Sequence, residues 1–511
     1  MAEAAPVSGL RRMLVTATGM LASFTMVLSG TIVNVASPDV MGAFGVGLDK
    51  AQFLATAYIA TMTASQLLNA WFVGTFGQRS AFVIVLVVFV LGSVICATSP
   101  DIDVVILGRV MQGFAAGVVQ PLVMVVIFQV FPKEERGLAM GIYSMGLVLA
   151  LGLGPVVGGI TVDLLGWRYI FMVPIPLVTL AFALGVVFIP AGRREGARRA
   201  FDWVGYGLLC VGLFCLMSAI ANGQREGWAS DRIVAQFAIG AAASIGFVRS
   251  QLRASAALLD LTLFVNPRFA AAALVTFVFG IGNFAMNYLV PVYGQLVQGY
   301  TPTVAGFLLL PAALAALTVF PIIGRLSDRT APQVPVMGGL VLFALGAALL
   351  STTDVNTTFW TMAWFAVISR FGMGFITPPL VASALRALPP EQLNHGSGTI
   401  NFCRQLGGAM GINVLVACLE LRTQFHGDAL TATQSAGNTA TRELIARVGQ
   451  LLGDTGLGPD LRQALALDHL GSMIVAQART MAFQDGFMII TTVFVLALLP
   501  AWMLGRSQRA A

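Results

Sequence analysis

The chain has 511 residues, 57% of them hydrophobic and only 10% charged. Roughly 25% charged is usual for soluble proteins, so a water-soluble globular fold is excluded, and the net charge of +6 is not a nucleic-acid footprint. Apolar runs of about 20 residues, each able to cross a hydrocarbon layer of about 30 Å, recur from end to end. The first, 13–38, is too long for a cleavable signal and lacks a small-x-small site at its end. It carries a polar cluster, Ser29, Thr31, Asn34 and Ser37, then Pro38. Further runs follow near 52–73, 81–98, 104–128, 138–161, 169–190, 203–221, 233–250, 270–296, 304–324, 335–351, 358–384, 398–420 and 486–505. Fourteen spans and an all-α polytopic membrane protein are predicted.

Loop charge sets the orientation. With the start of the chain inside, one face collects seventeen basic residues, from Arg11 and Arg12 through Lys133, Arg136 and Arg386 to Arg509. The short loops of the other face hold little beyond Lys50, Arg225 and Arg232. Both termini are therefore predicted to be cytoplasmic. The five cysteines fall within spans and form no CxxC pair. His395, His426 and His469 sit in loops without metal-ligand spacing, so neither a metal nor another cofactor is expected. A P-loop ends in Lys-Ser or Lys-Thr. The only lysines, Lys50 and Lys133, are followed by Ala and Glu, so an ATP-driven engine is not encoded, and an ion gradient or energy borrowed from a partner is the expected source.

Three short patterns recur in the same order at nearly constant offset. "NVASP" (34–38) returns as "NYLVP" (287–291), "AWFVGTFGQR" (70–79) corresponds to "GRLSDRTAPQ" (324–333), and "RVMQGF" (109–114) to "RFGMGF" (370–375). Two parallel six-span halves follow, spans 1–6 and 9–14, with spans 7 and 8 inserted between them. The predicted units are residues 1–200, 201–255 and 256–511.

"GRLSDR" (324–329) resembles the loop signature of the major facilitator superfamily. "LGRVMQGFAAG" (107–117) resembles its fourth-span motif, and "LGLGPVVGG" (151–159) its fifth-span antiporter motif. "LSGTIVNVASP" (28–38) and "FDWVG" (201–205) resemble the fourteen-span drug:proton antiporters of the EmrB/QacA type. The resemblance covers essentially the whole chain. It implies the major facilitator fold, two six-helix bundles plus two inserted helices, in a bacterial inner membrane. The expected activity is proton-coupled export of lipophilic small molecules by alternating access, with a lean toward anionic or neutral substrates. Export of fatty acids or lipid-like anions is the alternative within transport; a non-transporting receptor or scaffold is the alternative outside it.

Site residues are expected from chemistry and resemblance together. Gly154, Pro155, Gly158 and Gly159 make a bendable, closely packed helix suited to a gate. Gly324, Asp328 and Arg329, with Gly77 and Arg79 of the first-half copy, are candidates for a cytoplasmic latch. In the first-half copy Gly74 and Thr75 replace the acid and the arginine, so the latch is expected to be asymmetric. Arg109 is a charge within a span and must face the interior or water with a partner. Electrostatic control of a proton or of the substrate, and simple pinning to backbone carbonyls, are both open. The second position of the first-span motif is commonly Asp in the resembled branch and is Ser29 here. Span middles hold neither Asp nor Glu, so coupling falls to Asp39 or Asp163 at span ends, or to Arg109 and the substrate. Ser29, Asn34, Tyr58, Gln66, Gln112, Asn283, Asn287, Tyr288 and Gln295 are candidates for the cavity lining.

Residues 421–485 read as the one long loop, on the outer side, with amphipathic stretches at 441–452 and 461–478. The resemblance implies a periplasmic adaptor protein and an outer-membrane channel as partners in Gram-negative cells.

Overall fold

Long apolar stretches with polar groups at their ends have one open-ended solution in lipid, a helix that satisfies its own backbone. The computed structural model describes residues 9–506 except 34–35, 47–49, 51–52, 192–200, 255–256, 436 and 453–457, and every regular element in it is helical. The first half runs α1 (Gly9–Ile32), a short α2 (Ser37–Phe44), α3 (Phe53–Ser65), α4 (Asn69–Phe76), α5 (Gln78–Thr98), α6 (Ile102–Val130), α7 (Arg136–Leu165) and α8 (Pro174–Phe188). The inserted pair is α9 (Trp203–Glu226) and α10 (Asp231–Arg253). The second half runs α11 (Pro267–Leu296), α12 (Pro302–Phe307), α13 (Leu310–Arg329), α14 (Gln333–Leu350), α15 (Phe359–Arg386), α16 (Leu393–Ala432), α17 (Thr439–Leu451), α18 (Pro459–Leu496) and α19 (Leu498–Arg506).

Among the described residues thirteen helices are long and apolar enough to cross a membrane. The predicted second span, 52–73, is missing from that number because a 3-10 turn at Gln66–Leu68 divides it into α3 and α4. The turn lies in a tight seam. A Cβ on Gly398 of α16 would stand 2.6 Å from the Gln66 carbonyl oxygen, and one on Gly117 of α6 would stand 2.8 Å from the Ser65 Cβ.

Local polar groups start the helices. Asp101 accepts the N–H of Asp103 at 3.2 Å ahead of α6, and Asn266 accepts that of Arg268 at 3.0 Å ahead of α11; each satisfies an orphan first-turn donor. Gly77 (φ 79) turns α4 into α5, and Gly166 (φ 95) ends α7. Both occupy backbone that other residues rarely adopt.

The halves meet along two seams, one repeat apart. In one, α7 lies on α13, and a Cβ on Gly141 would collide with the carbonyl oxygen of Phe320. In the other, α16 lies on the α3–α4 turn, where Gly398 meets the carbonyl of Gln66. Gly141 and Gly398, like Phe320 and Gln66, are matching positions of the two copies, so the geometry repeats with the sequence. The inserted helices α9 and α10 pack on each other, and α9 also touches α16 and α3, where Tyr206 and Ser65 share a hydroxyl–hydroxyl bond of 3.3 Å.

The expected outer loop is not a loop. α16 is 40 residues long and continues past its apolar stretch to Ala432; α18 is 38 residues long and begins at Pro459. Together with α17 they form a helical stalk, clipped by Asp485, whose Oδ2 lies 2.6 Å from Arg422 Nε and 2.7 Å from His426 Nε2. The hydropathy reading ended each span where its apolar run ended. Amphipathic faces packing on one another, α17 on α18, carry the helices further.

Candidate functional site

A cavity of about 110 Å³ lies between the halves. Its wall is mostly apolar: Val27 of α1, Ile59 and Met62 of α3, Leu147 and Leu151 of α7, Phe279 and Phe284 of α11, and Met373 of α15. The polar atoms are few. Thr31, Tyr58, Gln120, Ser144, Asn283, Thr377, Gln405 and one cation, Arg404, line it. A largely apolar chamber with a few fixed polar groups is the usual form of a small-molecule site.

Of the expected lining residues, Tyr58 and Asn283 stand in the wall. Ser29 and Gln112 are buried behind it, around Arg109. Gln66 is buried in the α3–α4 seam, both amide atoms unpaired. Tyr288 and Gln295 are exposed on the far part of α11, and the Gln295 amide bonds only its own helix, at the Pro291 carbonyl. Asn287 accepts from Arg370. Asn34 lies outside the described residues.

Arg109 is fully buried and does not line the chamber. Its Nε donates to the Leu54 carbonyl at 2.9 Å, and its Nη1 to the Ser29 carbonyl at 3.1 Å and to Gln112 Oε1 at 2.8 Å. The Gln112 amide in turn donates to Ser93 at 2.8 Å. The Tyr58 ring covers the guanidinium, with Cζ 4.1 Å from the ring centroid, a favourable cation–π contact. Nη2 keeps no partner. Of the two readings of Arg109, this geometry matches pinning to backbone carbonyls: two carbonyls, an amide and an aromatic face hold it, and the Tyr58 ring that covers it lines the cavity.

Its repeat counterpart Arg370 is also buried, with Nη2 on Asn287 Oδ1 and Nη1 3.4 Å from Asn283 Oδ1. Arg404 is the third arginine within a span. Its Nη2 donates to Asn401 Oδ1 at 2.8 Å and, across the seam, to Gln120 Oε1 at 3.2 Å. Its side chain lines the chamber. Sequence reasoning passed over Arg404, although a charge inside the run 398–420 was visible.

No carboxylate answers these cations. All 23 acidic residues lie at span ends or in connections, and among the described residues no Asp or Glu lines the cavity. Asp39 and Asp163, the coupling candidates, are both exposed, on α2 and on the last turn of α7. Neither borders the cavity.

The gate glycines divide. α7 runs unbroken through 154–159, and the ring of Pro155 lies outside the described side chains. A Cβ on Gly154 would collide with the Thr31 side chain, and one on Gly158 would stand 2.9 Å from the Ile32 carbonyl oxygen. Both glycines hold α7 against α1. Gly159 faces open space.

The latch candidates also divide. Asp328 reaches from α13 to the first turn of α7, accepting from Gly137 N at 2.8 Å and Leu138 N at 3.1 Å. Arg386 Nη2 pairs with the same carboxylate at 2.6 Å and donates to the Lys133 carbonyl at 3.1 Å. A carboxylate on a helix N-terminus satisfies orphan donors and the helix dipole together. Gly324 and Gly137 bring the two backbones into contact there. Arg329 is exposed, and Arg386, on another helix, supplies the cation. In the first-half copy Gly77 makes a turn, and Arg79 donates to the Ile189 carbonyl at 2.8 Å within its own half. The second seam is closed by an amide instead: Asn69 Nδ2 donates to the Asn394 carbonyl at 3.2 Å and to Ser397 Oγ at 3.3 Å.

Comparison with known proteins agrees with this architecture. The sequence profile of the Major Facilitator Superfamily matches residues 19–412. The chain is 26% identical to the multidrug export protein EmrB of Escherichia coli, over 98% of this chain and 97% of that one. It is 31% identical to the multidrug resistance protein Stp of Mycobacterium tuberculosis, over 79% and 75%. It is 28% identical to YhcA, an uncharacterized MFS-type transporter of Bacillus subtilis, over 94% and 90%. Among solved structures, the human organic anion transporter MFSD10 superposes with TM-score 0.62 at 14% identity, covering 96% of this chain and 99% of that one. The proton:xylose symporter XylE superposes with TM-score 0.61 at 12% identity, covering 97% and 96%.

Proposed function

The chain belongs to the Major Facilitator Superfamily, and we propose that it is a secondary active exporter of lipophilic small molecules, favouring organic anions and neutral compounds. The chamber between the halves carries this reading. It is apolar enough to take a lipophilic solute from the bilayer, and Arg404 offers it a cation that no acid neutralises. A carboxylate or sulfonate there gains a charge-assisted, forked hydrogen bond.

The halves hold each other at the end where α1 begins and α19 ends, through Asp328, Arg386 and Asn69. With that end in the cytoplasm of a bacterial cell, as the loop charge implies, this conformer is closed inward. Rocking of the halves about the chamber would break those contacts and present the site to the cytoplasm. The proton motive force is the energy source, and the resemblance implies exchange of substrate for protons. The stalk of α16, α17 and α18 is then periplasmic in a Gram-negative cell, where it can meet an adaptor protein leading to an outer-membrane channel. Multidrug-exporting relatives such as EmrB and Stp support the direction.

The test is a substrate-panel efflux assay in cells expressing the protein, with the membrane energised and then de-energised by an uncoupler. Energy-dependent efflux of lipophilic anions and neutral compounds is expected. Uniform failure to export, from well-expressed and folded protein, overturns the reading.

A further inference from the structure

A proton antiporter needs a group in the transport path that binds a proton on one side and releases it on the other. Among the described residues the chamber wall holds no Asp, Glu or His. The 23 acidic residues avoid the spans, and the three histidines, His395, His426 and His469, stand near helix ends or in the stalk. The chamber's ionic group is Arg404, a guanidinium that stays protonated at any physiological pH. Arg109 and Arg370 add fixed positive charge within the spans, each held by oxygen acceptors.

We infer, on the basis of the export reading above, that the substrate leaves as a monovalent organic anion paired with Arg404, and that the membrane potential rather than a protein-bound proton drives it. The charge balance is complete without a titrating residue. The bound anion cancels the charge of Arg404, so the loaded chamber carries one positive charge fewer than the empty one and reorients with less electrical work. After release the empty chamber returns carrying a net positive charge, and an inside-negative potential pulls that charge inward. One cycle moves one negative charge out, electrically the same as one proton in. The limit is about 50-fold accumulation per 100 mV, from ~2.3 kcal/mol per charge.

The remaining donors of Arg404 supply the recognition. Nη2 is already committed to Asn401 and Gln120, which fixes the guanidinium plane and leaves its other edge for the anion. Asn283, on the chamber wall, is a further neutral donor. The surrounding aliphatic and phenylalanine side chains take the lipophilic body.

The experiment uses purified full-length protein in liposomes, with labelled taurocholate and 1-anilinonaphthalene-8-sulfonate as permanently ionised probes. A potassium gradient with valinomycin sets an inside-positive potential, with the pH clamped by strong buffer; a separate arm imposes a pH gradient with the potential clamped at zero. The expected result is at least about tenfold accumulation under the potential, within the electrical limit, and less than about twofold under the pH gradient. Arg404→Gln should abolish potential-driven uptake, while Arg404→Lys should keep the potential response with a raised KM. Size-exclusion profiles of both variants report folding. Accumulation that follows the pH gradient and ignores the potential overturns the inference and leaves the export reading intact. Movement of neither sulfonate under either gradient overturns both. An Arg404→Gln variant that folds and still accumulates sulfonate under the potential removes Arg404 from the site.

Discussion

Tyr58 walls Arg109 off from the chamber: its ring covers the guanidinium at 4.1 Å, and its hydroxyl donates to the Met26 carbonyl at 2.5 Å. The buried charge therefore ties α1, α3 and α6 together. Removing it leaves the Leu54 and Ser29 carbonyls without their donor in a dry setting, at ~1–3 kcal/mol for each buried group left unsatisfied. Arg109→Ala should lower yield and Tm in detergent, and Arg109→Lys should do so less. For either variant that folds, KM for an organic anion should stay within about twofold of wild type, because uniform binding to the anion is not lost. A raised KM at unchanged Tm would return Arg109 to the substrate site.

Ser29 Oγ stands 3.5 Å from Arg109 Nη1, and Arg109 Nη2 has no partner. Ser29→Asp places a carboxylate where that guanidinium can pair with it. The variant should keep its fold, lose part of its anion transport, and acquire a dependence on the pH gradient that wild type lacks. Flux in liposomes under each gradient separately is the measurement. An unchanged energy profile would show that the position has no access to the transport path.

Asp328 closes the seam between α7 and α13 in this conformer. Its loss removes two hydrogen bonds to a helix N-terminus and one ion pair, and hydrogen bonds to a charged group are worth ~1.5–3 kcal/mol each. Asp328→Ala should shift the population toward the conformer open at this end by about tenfold or more, since ~1.4 kcal/mol is a factor of ten. Spin labels at the exposed positions Glu134 and Arg325, in a cysteine-free background, should report a longer distance in the variant. An unchanged distance distribution would make the contact a passive cap.

Gly158 and Gly159 are neighbours with opposite surroundings. Gly158→Leu drives a side chain into the Ile32 backbone, whereas Gly159→Leu extends into open space. Overpacking of this kind costs ~1–3 kcal/mol. The first variant should abolish export while reaching the membrane, and the second should export at about half the wild-type rate or better. Equal loss in both would mean that α7 needs a bare face all round, as a moving helix does.

The fold was legible because lipid leaves the backbone few choices: run lengths gave the spans, and three recurring patterns gave the parallel halves. Span two was misread as one helix, since the pressure of Gly398 and Gly117 on the Gln66 turn is a tertiary effect with no local signature. The stalk was misread as a loop because hydropathy marks where lipid ends, not where a helix does. Among site residues, Asp328 was visible through its motif, but its partner Arg386 was one of many basic residues near the membrane edge. Arg404 is equally a charge within a span, but unlike Arg109 it lies in none of the recurring motifs. Which arginine faces the chamber depends on side-chain direction across a helix bundle, and a single sequence does not carry that.

Export of a lipophilic anion through the chamber on Arg404 is the expected activity. Its most direct test is a paired efflux profile of one lipophilic sulfonate and one lipophilic cation of similar size, in energised cells expressing wild type or Arg404→Gln. Wild type should export the sulfonate at least about tenfold better, the scale of one charge-assisted bond, and Arg404→Gln should lose that preference while remaining in the membrane at wild-type levels. A wild type that prefers the cation, or a folded Arg404→Gln variant with the sulfonate preference intact, contradicts the account.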